Sequence, residues 1–435
     1  MKIVGIVAEY NPFHNGHLYQ LQEVKKAINP DFIIIIMGGN FLQRGEPALV
    51  NKWIRTEMAL KAGVDLVIEL PFAFSTQDAN GFAWGAVKLL DLLGIVNYLC
   101  FGCETADLNI LYPISNFLQK ENKKYKEILK QKSKTGYEYP RIRAQALLEY
   151  HQSVGIKNLK NLSLSGLQKI LSYPNNILAI EYVKHLLRLK SKISPFPITR
   201  VGSAYHQREI MGDIASATSI RKEVLDNFYH SQDGQIIFSQ KLKNAIPWFT
   251  TRLLEKEFQE GRNPITLKSY EQIIFATLRK LTLEEISCIQ GVNEGLESRI
   301  KESSLQAFTI EQLINSIKTR RYTQTKIQRI LLHSLLGLKK EDVIRINLLP
   351  SFYIRILGFS KKGRKLLKII KKIPALYIIN NLSKFLTTNN VLRNNQTLLS
   401  MLNFDILATD LYVLGYNQEK DRMARMDFRR KIIMV

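Results

Sequence analysis

The sequence predicts an α/β fold in its first half, a parallel sheet with helices on both faces, followed by a mostly α-helical second half. Short β-branched apolar runs alternate with helix-spaced segments at first, the pattern of strand–helix–strand crossovers. From Asn227 onward helical periods follow one another with few strand signals. The length of 435 residues suits two or three domains, and 46% hydrophobic with 23% charged residues is an ordinary globular composition. The expected division is 1–225 and 226–435.

Residues 2–8 form an apolar β-branched run, the first expected strand, and 9–13 a polar turn carrying Pro12. Asn15 is the expected N-cap of a helix whose Leu18, Leu21, Val24 and Ala27 share a face. Residues 31–37, 65–70, 95–101 and 196–201 read as further strands, with helical patterns at 53–62 and 77–93. Ligands in such sheets bind beyond the carboxyl ends of the strands. The turns at 9–17, 38–46 and 102–104 should therefore border one crevice. In the second half the helical patterns fall at 235–245, 251–259, 270–280 and 311–317.

The chemistry-bearing residues cluster at that crevice. His14 and His17 are three apart, so both project from one face of the first helical turn, with Gly16 between them where a side chain would block a ligand. A helix N-terminus offers unpaired N–H groups and partial positive charge, and two imidazoles can donate to oxygens as charge builds on an α-phosphate. The plain alternative is a pair of capping histidines; the strand before and the helix after favour the nucleotide. No neighbouring Cys, His or Glu set completes a metal site. In the second turn Arg44, Lys52 and Arg55 would neutralise phosphates or a carboxylate substrate, or else belong to a solvated loop and its helix cap. Gly102 ends the fourth strand, where a missing side chain would let a nucleotide lie against the backbone. Arg200 ends the fifth and would face the crevice. Pro174, Asn175 and Asn176 read as a turn and helix cap.

The formal charge of +24 favours a polyanionic partner. Residues 226–435 carry 34 Lys+Arg against 19 Asp+Glu, a net of +15, and the remainder 28 against 19, or +9, so the second half is the better candidate for holding nucleic acid. Two segments stand out. Residues 318–329 mix five basic side chains, Arg320, Arg321, Lys326 and Arg329 among them, with Tyr322. Residues 361–372 hold seven basic side chains, including Lys361, Lys362, Arg364 and Lys365, and no acid. Either could instead be a solvated helix face. Three cysteines make no disulfide framework, which points to a reducing compartment, and Cys100 and Cys103 read as strand-end packing. There is no secretory leader pattern, and the apolar runs fall short of a membrane span, so a cytoplasmic protein with no membrane partner is expected.

The string from Val7 to Leu21, VAEYNPFHNGHLYQL, resembles the signature of the HIGH nucleotidyltransferase superfamily, and within it the bacterial tRNA(Met) cytidine acetate ligases. The stretches MGGNFLQRGEPALVNKW and PNNILAIEY share that look. So does the Ser/Thr-rich turn at 214–223, similar to the superfamily's second signature. The resemblance implies a Rossmann-like catalytic domain at 1–225 with a basic helical tRNA-binding domain at 226–435. It implies ATP as substrate and His14 and His17 as catalytic residues. ATP contacts would run through Val7, Ala8, Glu9, Tyr10, Asn11, Pro12, Phe13, His14, Asn15, Gly16, His17, Leu18, Tyr19 and Gln20, with Gly102, Asn175 and Arg200 beyond them. Ser216, Ser219 and Arg221 would hold the departing phosphates, or else serve as an N-cap with a surface arginine. Acetate and elongator tRNA(Met) are the implied partners, and the product is N4-acetylcytidine at the wobble position. Mg²⁺ would accompany ATP without a dedicated protein site. Oligomeric state is left open. Two rival readings remain: a nucleotidyltransferase adenylating a cofactor precursor, for which the basic second half is surplus, and a silent RNA-binding protein, which would need neither histidine.

Overall fold

The chain is built on one eight-stranded sheet whose middle is parallel. The computed structural model describes residues 1–159, 161–201, 210, 212–227, 229–230, 236–262, 264–293, 295–373, 376–388 and 395–435. The central strands are β1 (Ile3–Ala8), β2 (Phe32–Gly38), β3 (Leu66–Leu70), β4 (Tyr98–Cys103) and β5 (Ser194–Thr199), in spatial order β3-β2-β1-β4-β5. A two-stranded hairpin, β6 (Tyr229–His230) with β7 (Ile236–Ile237), stands apart. The main sheet is completed from the second half of the chain. β8 (Tyr353–Phe359) pairs antiparallel with β3, while β9 (Tyr377–Ile379) and β10 (Ile433–Met434) pair parallel with β8.

Alternation decides which side chains go to which face. Val4, Ile6, Ile33, Ile35 and Val67 pack on one side with helix α1 (Asn15–Ile28) and helix α2 (Lys52–Lys61). Ile3, Ile34, Ile36 and Ile68 pack on the other with helix α3 (Ala79–Leu92) and helix α4 (Pro174–Leu189). With both faces covered, β2 is buried along its whole length, which is why it reads as an unbroken apolar run. Gly5 admits the close approach of α3, since a Cβ there would lie 2.7 Å from Leu90. The expected strand at 95–101 begins three residues later, because Asn97 is spent bridging to β1: its amide donates to the Ile3 carbonyl and its Oδ1 accepts from the Ile3 amide. β5 tolerates Pro195 and Pro197 because it lies at the sheet's edge.

Helix α5 (Ala217–Asp226) precedes the hairpin, and past it comes a helical region that includes Gln240–Ala245, Trp248–Gln259, Glu271–Lys280 and Ile310–Ile317. The helix expected at 235–245 starts only at Gln240; Ile236 and Ile237 are strand, and residue 235 lies outside the described residues. Helix α6 (Gln324–Leu336), helix α7 (Gly363–Ile370) and helix α8 (Gln396–Tyr412) follow. The segment Gln396–Gly415 has the length and hydropathy of a membrane span, yet half of it is buried against the core, including Met401, Leu402, Asp405 and Thr409.

A buried charge cluster joins β8 and the C-terminal segment to the first half. Lys52 Nζ lies 2.8 Å from Glu69 and 2.9 Å from Asp427, and Arg355 lies 3.2 Å from Glu69 and 2.5 Å from Asp427. Two cations and two carboxylates therefore balance inside the protein, where an unmatched ion costs several kcal/mol. Lys52→Met should lower unfolding free energy by about 3–5 kcal/mol, because Arg355 alone would face both acids. Urea denaturation followed by circular dichroism measures it, and a loss under about 1 kcal/mol would show that the cluster is dispensable.

Candidate active site

In the order β3-β2-β1-β4-β5 the chain winds one way through β1, β2 and β3 and the other way through β4 and β5, so the switch point lies at the carboxyl ends of β1 and β4. There α1 begins. Its N-cap is His14 rather than Asn15. The His14 Nδ1 accepts from the Gly16 amide at 3.1 Å, and the His17 Nδ1 accepts from the His14 amide at 3.2 Å. This is a reciprocal capping box made of two imidazoles, so the capping reading of the pair is correct for one nitrogen of each ring. It settles the other as well: a neutral imidazole that accepts at Nδ1 carries its proton at Nε2. The rings stack at 3.7 Å between centroids, with Tyr10 edge-on to His17 at 4.8 Å.

Both rings are held neutral. Burial pushes His14 down to about 3, helped by Arg200 and Arg221, and burial with His14 and Arg200 holds His17 well below the usual imidazole range. Two N–H donors are thus preorganised at a helix N-terminus without net charge. The crevice they border is lined by His14, Gly16, His17, Tyr19, Gln20, Gly102, Thr199, Arg200 and Ser216, with Ile198, Val201, Ile214 and Ala215 as apolar walls. Those four apolar positions were missed in the sequence, where they look like any strand or loop hydrophobe. Gly16 serves the His14 ring itself, since a Cβ there would sit 2.9 Å from the ring. Beside Gly102, by contrast, the nearest atom to an added Cβ is Arg200 Cγ at 3.4 Å.

The rest of the first motif does other work. Tyr10, Asn11, Pro12 and Phe13 are buried, and Asn11 Oδ1 accepts from the Leu49 amide at 2.7 Å. Asn15 donates to the carbonyls of Asp213 at 2.9 Å and Asn244 at 2.7 Å, tying the first signature to the second. Val7 and Ala8 are the half-buried end of β1, Leu18 on α1 packs against the core of that face, and Glu9 turns toward the loop after β2. Asn175 bonds Glu104 at 2.7 Å, at the exit of β4, and is not among the lining residues. Ser216 caps α5 by accepting from the Ser219 amide at 3.1 Å, and the Ser219 hydroxyl is buried inside that cap. Arg221 reaches back, donating to the Asn11 carbonyl at 3.1 Å and pairing with Glu46 at 2.9 Å.

Two cations expected to meet substrate are committed elsewhere. Lys52 belongs to the buried charge cluster. Arg55 is fully buried and donates to the carbonyls of Val50 at 3.1 Å, Glu9 at 2.7 Å, Gly38 at 3.0 Å and Gly39. Arg44 stays half-buried on the loop.

The basic residues of the second half divide into two groups. Arg329, on α6, donates to the Gln43 carbonyl at 3.2 Å, and Gly45 presses on the α6 backbone, where a Cβ would come within 2.3 Å of the Arg329 amide. Lys326, one turn earlier on α6, is pushed down to about 8 by burial and by Arg329 and Arg321. Tyr322 is buried beneath Lys326 and is closed to base stacking. Lys361, Lys362, Arg364 and Lys365 are exposed around α7. Gly363 abuts the Asp65 carbonyl and Lys362 covers Phe32, both at the amino ends of their strands. That is the opposite edge of the sheet, roughly 20 Å from the crevice. Among the described residues there is no group of three or more His, Cys, Asp and Glu that could hold a metal.

Comparison with known proteins agrees with this geometry. The family described as HIGH Nucleotidyl Transferase matches residues 1–427. The chain is 42% identical over 437 residues to the tRNA(Met) cytidine acetate ligase of Acetivibrio thermocellus, covering all of both, and 41% identical over 434 residues to that of Halothermothrix orenii, covering all of this chain and 99% of the relative. The crystal structure of Thermotoga maritima TmcAL in its apo form I superposes with a TM-score of 0.91, and the form II structure bound with alpha-thio ATP with 0.89, each at 34% identity over the full length of both chains.

The capping geometry makes a spectroscopic prediction. In the ligand-free protein, ¹⁵N NMR of the imidazoles should find both rings neutral with the proton on Nε2 between about pH 5 and 8. A protonation midpoint above about 6 for either ring would contradict it.

Proposed function

The chain belongs to the HIGH nucleotidyl transferase family and, within it, to the tRNA(Met) cytidine acetate ligases, and we propose that its two imidazoles activate acetate on the α-phosphate of ATP. The enzyme forms acetyl-adenylate and pyrophosphate, then passes the acetyl group to the wobble cytidine of elongator tRNA(Met) as N4-acetylcytidine. The single observation that supports this division of chemistry is the pair of Nε2–H donors at the switch-point crevice, each tautomer imposed by a backbone amide. As acetate attacks, negative charge grows on the equatorial oxygens of phosphorus, and two fixed donors stabilise it without reorganising. Ser216 and the amino end of α5 would receive the departing phosphates, with Arg221 exchanging Glu46 for phosphate oxygen.

For the second step the target cytidine must leave its stack and reach the same crevice. We assign catalysis to residues 1–225 and tRNA affinity to the basic part of 226–435, foremost to Arg320, Arg321, Lys326 and Arg329, on or just before α6, where Arg329 meets the loop after β2. Lys361, Lys362, Arg364 and Lys365 would touch a more distant part of so long a ligand. The substrate is a cytoplasmic RNA, so the enzyme works in the cytoplasm.

His17→Ala should lower acetate-dependent pyrophosphate release about 10²–10³-fold and leave tRNA affinity within about twofold. Retained release would remove the imidazoles from the mechanism. Reversing charge at Arg320 and Arg321 together should weaken tRNA binding at least about tenfold and flatten its salt dependence, with a smaller effect from Arg364 and Lys365. Filter binding across a salt series tests this ranking; the reverse order would make the α7 cations the main tRNA contact.

A further inference from the structure

A cytidine in an anticodon belongs to a single strand, and its neighbours in that strand must be held if it is to stand at the crevice. Cations track the phosphates of such a strand, and aromatic rings hold its bases one by one. Large aromatic side chains are mostly buried in a folded protein. Of the three tryptophans, Trp53 and Trp84 are 7% and 8% exposed, whereas Trp248 is 68% exposed.

Trp248 stands close to the rim of the crevice. Asn15, between the lining residues His14 and Gly16, donates to the carbonyl of Asn244 at 2.7 Å and to that of Asp213 at 2.9 Å, and Asp213 adjoins the crevice wall at Ile214. Ring contacts lead from Trp248 to Phe249 at 5.9 Å, from Phe249 to Phe13 at 5.9 Å and from Phe13 to His17 at 5.5 Å between centroids. A chain of that length lets adjoining nucleotides of one strand occupy its two ends. The mounting is rigid. The Ile246 amide donates to the Leu242 carbonyl at 3.2 Å, and the Pro247 carbonyl accepts from the amides of Thr250 at 2.9 Å and Thr251 at 3.1 Å, closing the first turn of the helix Trp248–Gln259. Pro247, Phe249, Thr250 and Thr251 are buried, so the indole projects from an anchored turn. Arg252, one turn on, lies 5.7 Å from the ring centroid, and Lys241, Lys243 and Lys256 are exposed on the same two helices. None of these four cations is paired with an acid among the described residues.

We propose that Trp248 is a stacking platform for the nucleobase adjoining the target cytidine, with Lys243 and Arg252 on the flanking phosphates, a role that rests on the ligase reading above. Every base has a π-face, so an indole holds a strand in place without reading its sequence. A base held against Trp248 no longer lies against the cytidine beside it, which frees that cytidine to turn into the crevice. Arg252 serves both contacts, since a guanidinium binds phosphate and also favours an aromatic neighbour. Trp248 is a positioning residue: it is not among the residues that line the crevice, and it acts on the RNA rather than on ATP or acetate.

The residue carries its own reporter. With Trp53 and Trp84 buried, the tryptophan emission that acrylamide quenches comes from Trp248. In the full-length wild type, an unmodified elongator tRNA(Met) transcript should change that emission and protect it from acrylamide, a measurement that needs no variant to fold. Trp248→Ala should weaken affinity for the transcript at least about fivefold and lower acetyl transfer at limiting tRNA by as much, while Trp248→Phe should stay within about threefold on both. Acetate-dependent pyrophosphate release in the absence of tRNA should stay within about twofold in either variant. Emission and acrylamide access unchanged at saturating transcript, or full affinity retained in Trp248→Ala, would overturn the assignment. So would an equal loss of pyrophosphate release, which marks a structural role, or an emission shift that follows protein concentration without RNA, which marks a contact between two copies of the chain. If the wild type releases no pyrophosphate with acetate, the ligase reading fails, a result separate from the emission and affinity measurements that decide the platform.

Discussion

One buried guanidinium organises the carboxyl ends of the two central strands. Parallel strands leave their last carbonyls pointing at whatever follows, and here β1 and β2 are followed by irregular loops that cannot return the bonds. Arg55 supplies them, spreading its donors over Val50, Glu9, Gly38 and Gly39. Burial lowers its pKa to about 10, the cost of a cation met mostly by dipoles, with Glu9 and Glu69 at longer range. Lysine, with one compact ammonium, could not span four carbonyls. Because α2 carries Arg55 on one turn and Lys52 on the turn before, the same helix links the crevice floor to the buried charge cluster and so to β8 and the C-terminal segment. The helical second half is joined to the catalytic loops through this helix and through Gly45 against α6.

The histidine pair shows how a capping motif can also present donors to a crevice. Ser or Asp at an N-cap would satisfy the same orphan amides, but would leave nothing to offer the crevice. Imidazole has two nitrogens on opposite sides of a rigid ring. Committing one to the helix orients the other, so capping and catalysis are not rival explanations. Neutrality matters equally: two charged rings stacked at 3.7 Å would repel each other, and burial together with Arg200 and Arg221 keeps both uncharged until an anion arrives.

The parallel strands, the helix after the first of them and the paired histidines were legible in the sequence because periodicity and strand–turn–helix spacing are local signals. The turn at 38–46, expected to border the crevice, is not among its lining residues. The roles of Lys52 and Arg55 were not legible, because a cation on a polar loop looks alike whether it meets substrate or carbonyls; only the tertiary fold buries it. β8 was hidden by Arg355 in its middle, a charge that argues against a buried strand until its partners Glu69 and Asp427, distant in sequence, are known. The clamp by Asn15 was equally out of reach, since its acceptors lie about two hundred residues away. Tyr322 misled in the other direction. A tyrosine among arginines suggests stacking on bases, whereas here the ring is a floor on which Lys326 and Arg321 rest.

The surplus of positive charge then acquires two meanings. A net +24 spread over the molecule draws a polyanion from any direction, with a strength that falls as salt rises. Specific placement needs cations fixed relative to the rest of the protein, and the α6 segment is tied to the loop after β2 through Arg329. Arg329 makes that tie at two points: its amide lies against Gly45, and its guanidinium donates to the Gln43 carbonyl, while the Gln43 amide donates to Glu9. Two hydrogen bonds through Gln43 thus tie α6 to the residue that follows β1, although Arg329 and Gln43 stand 286 positions apart in the chain.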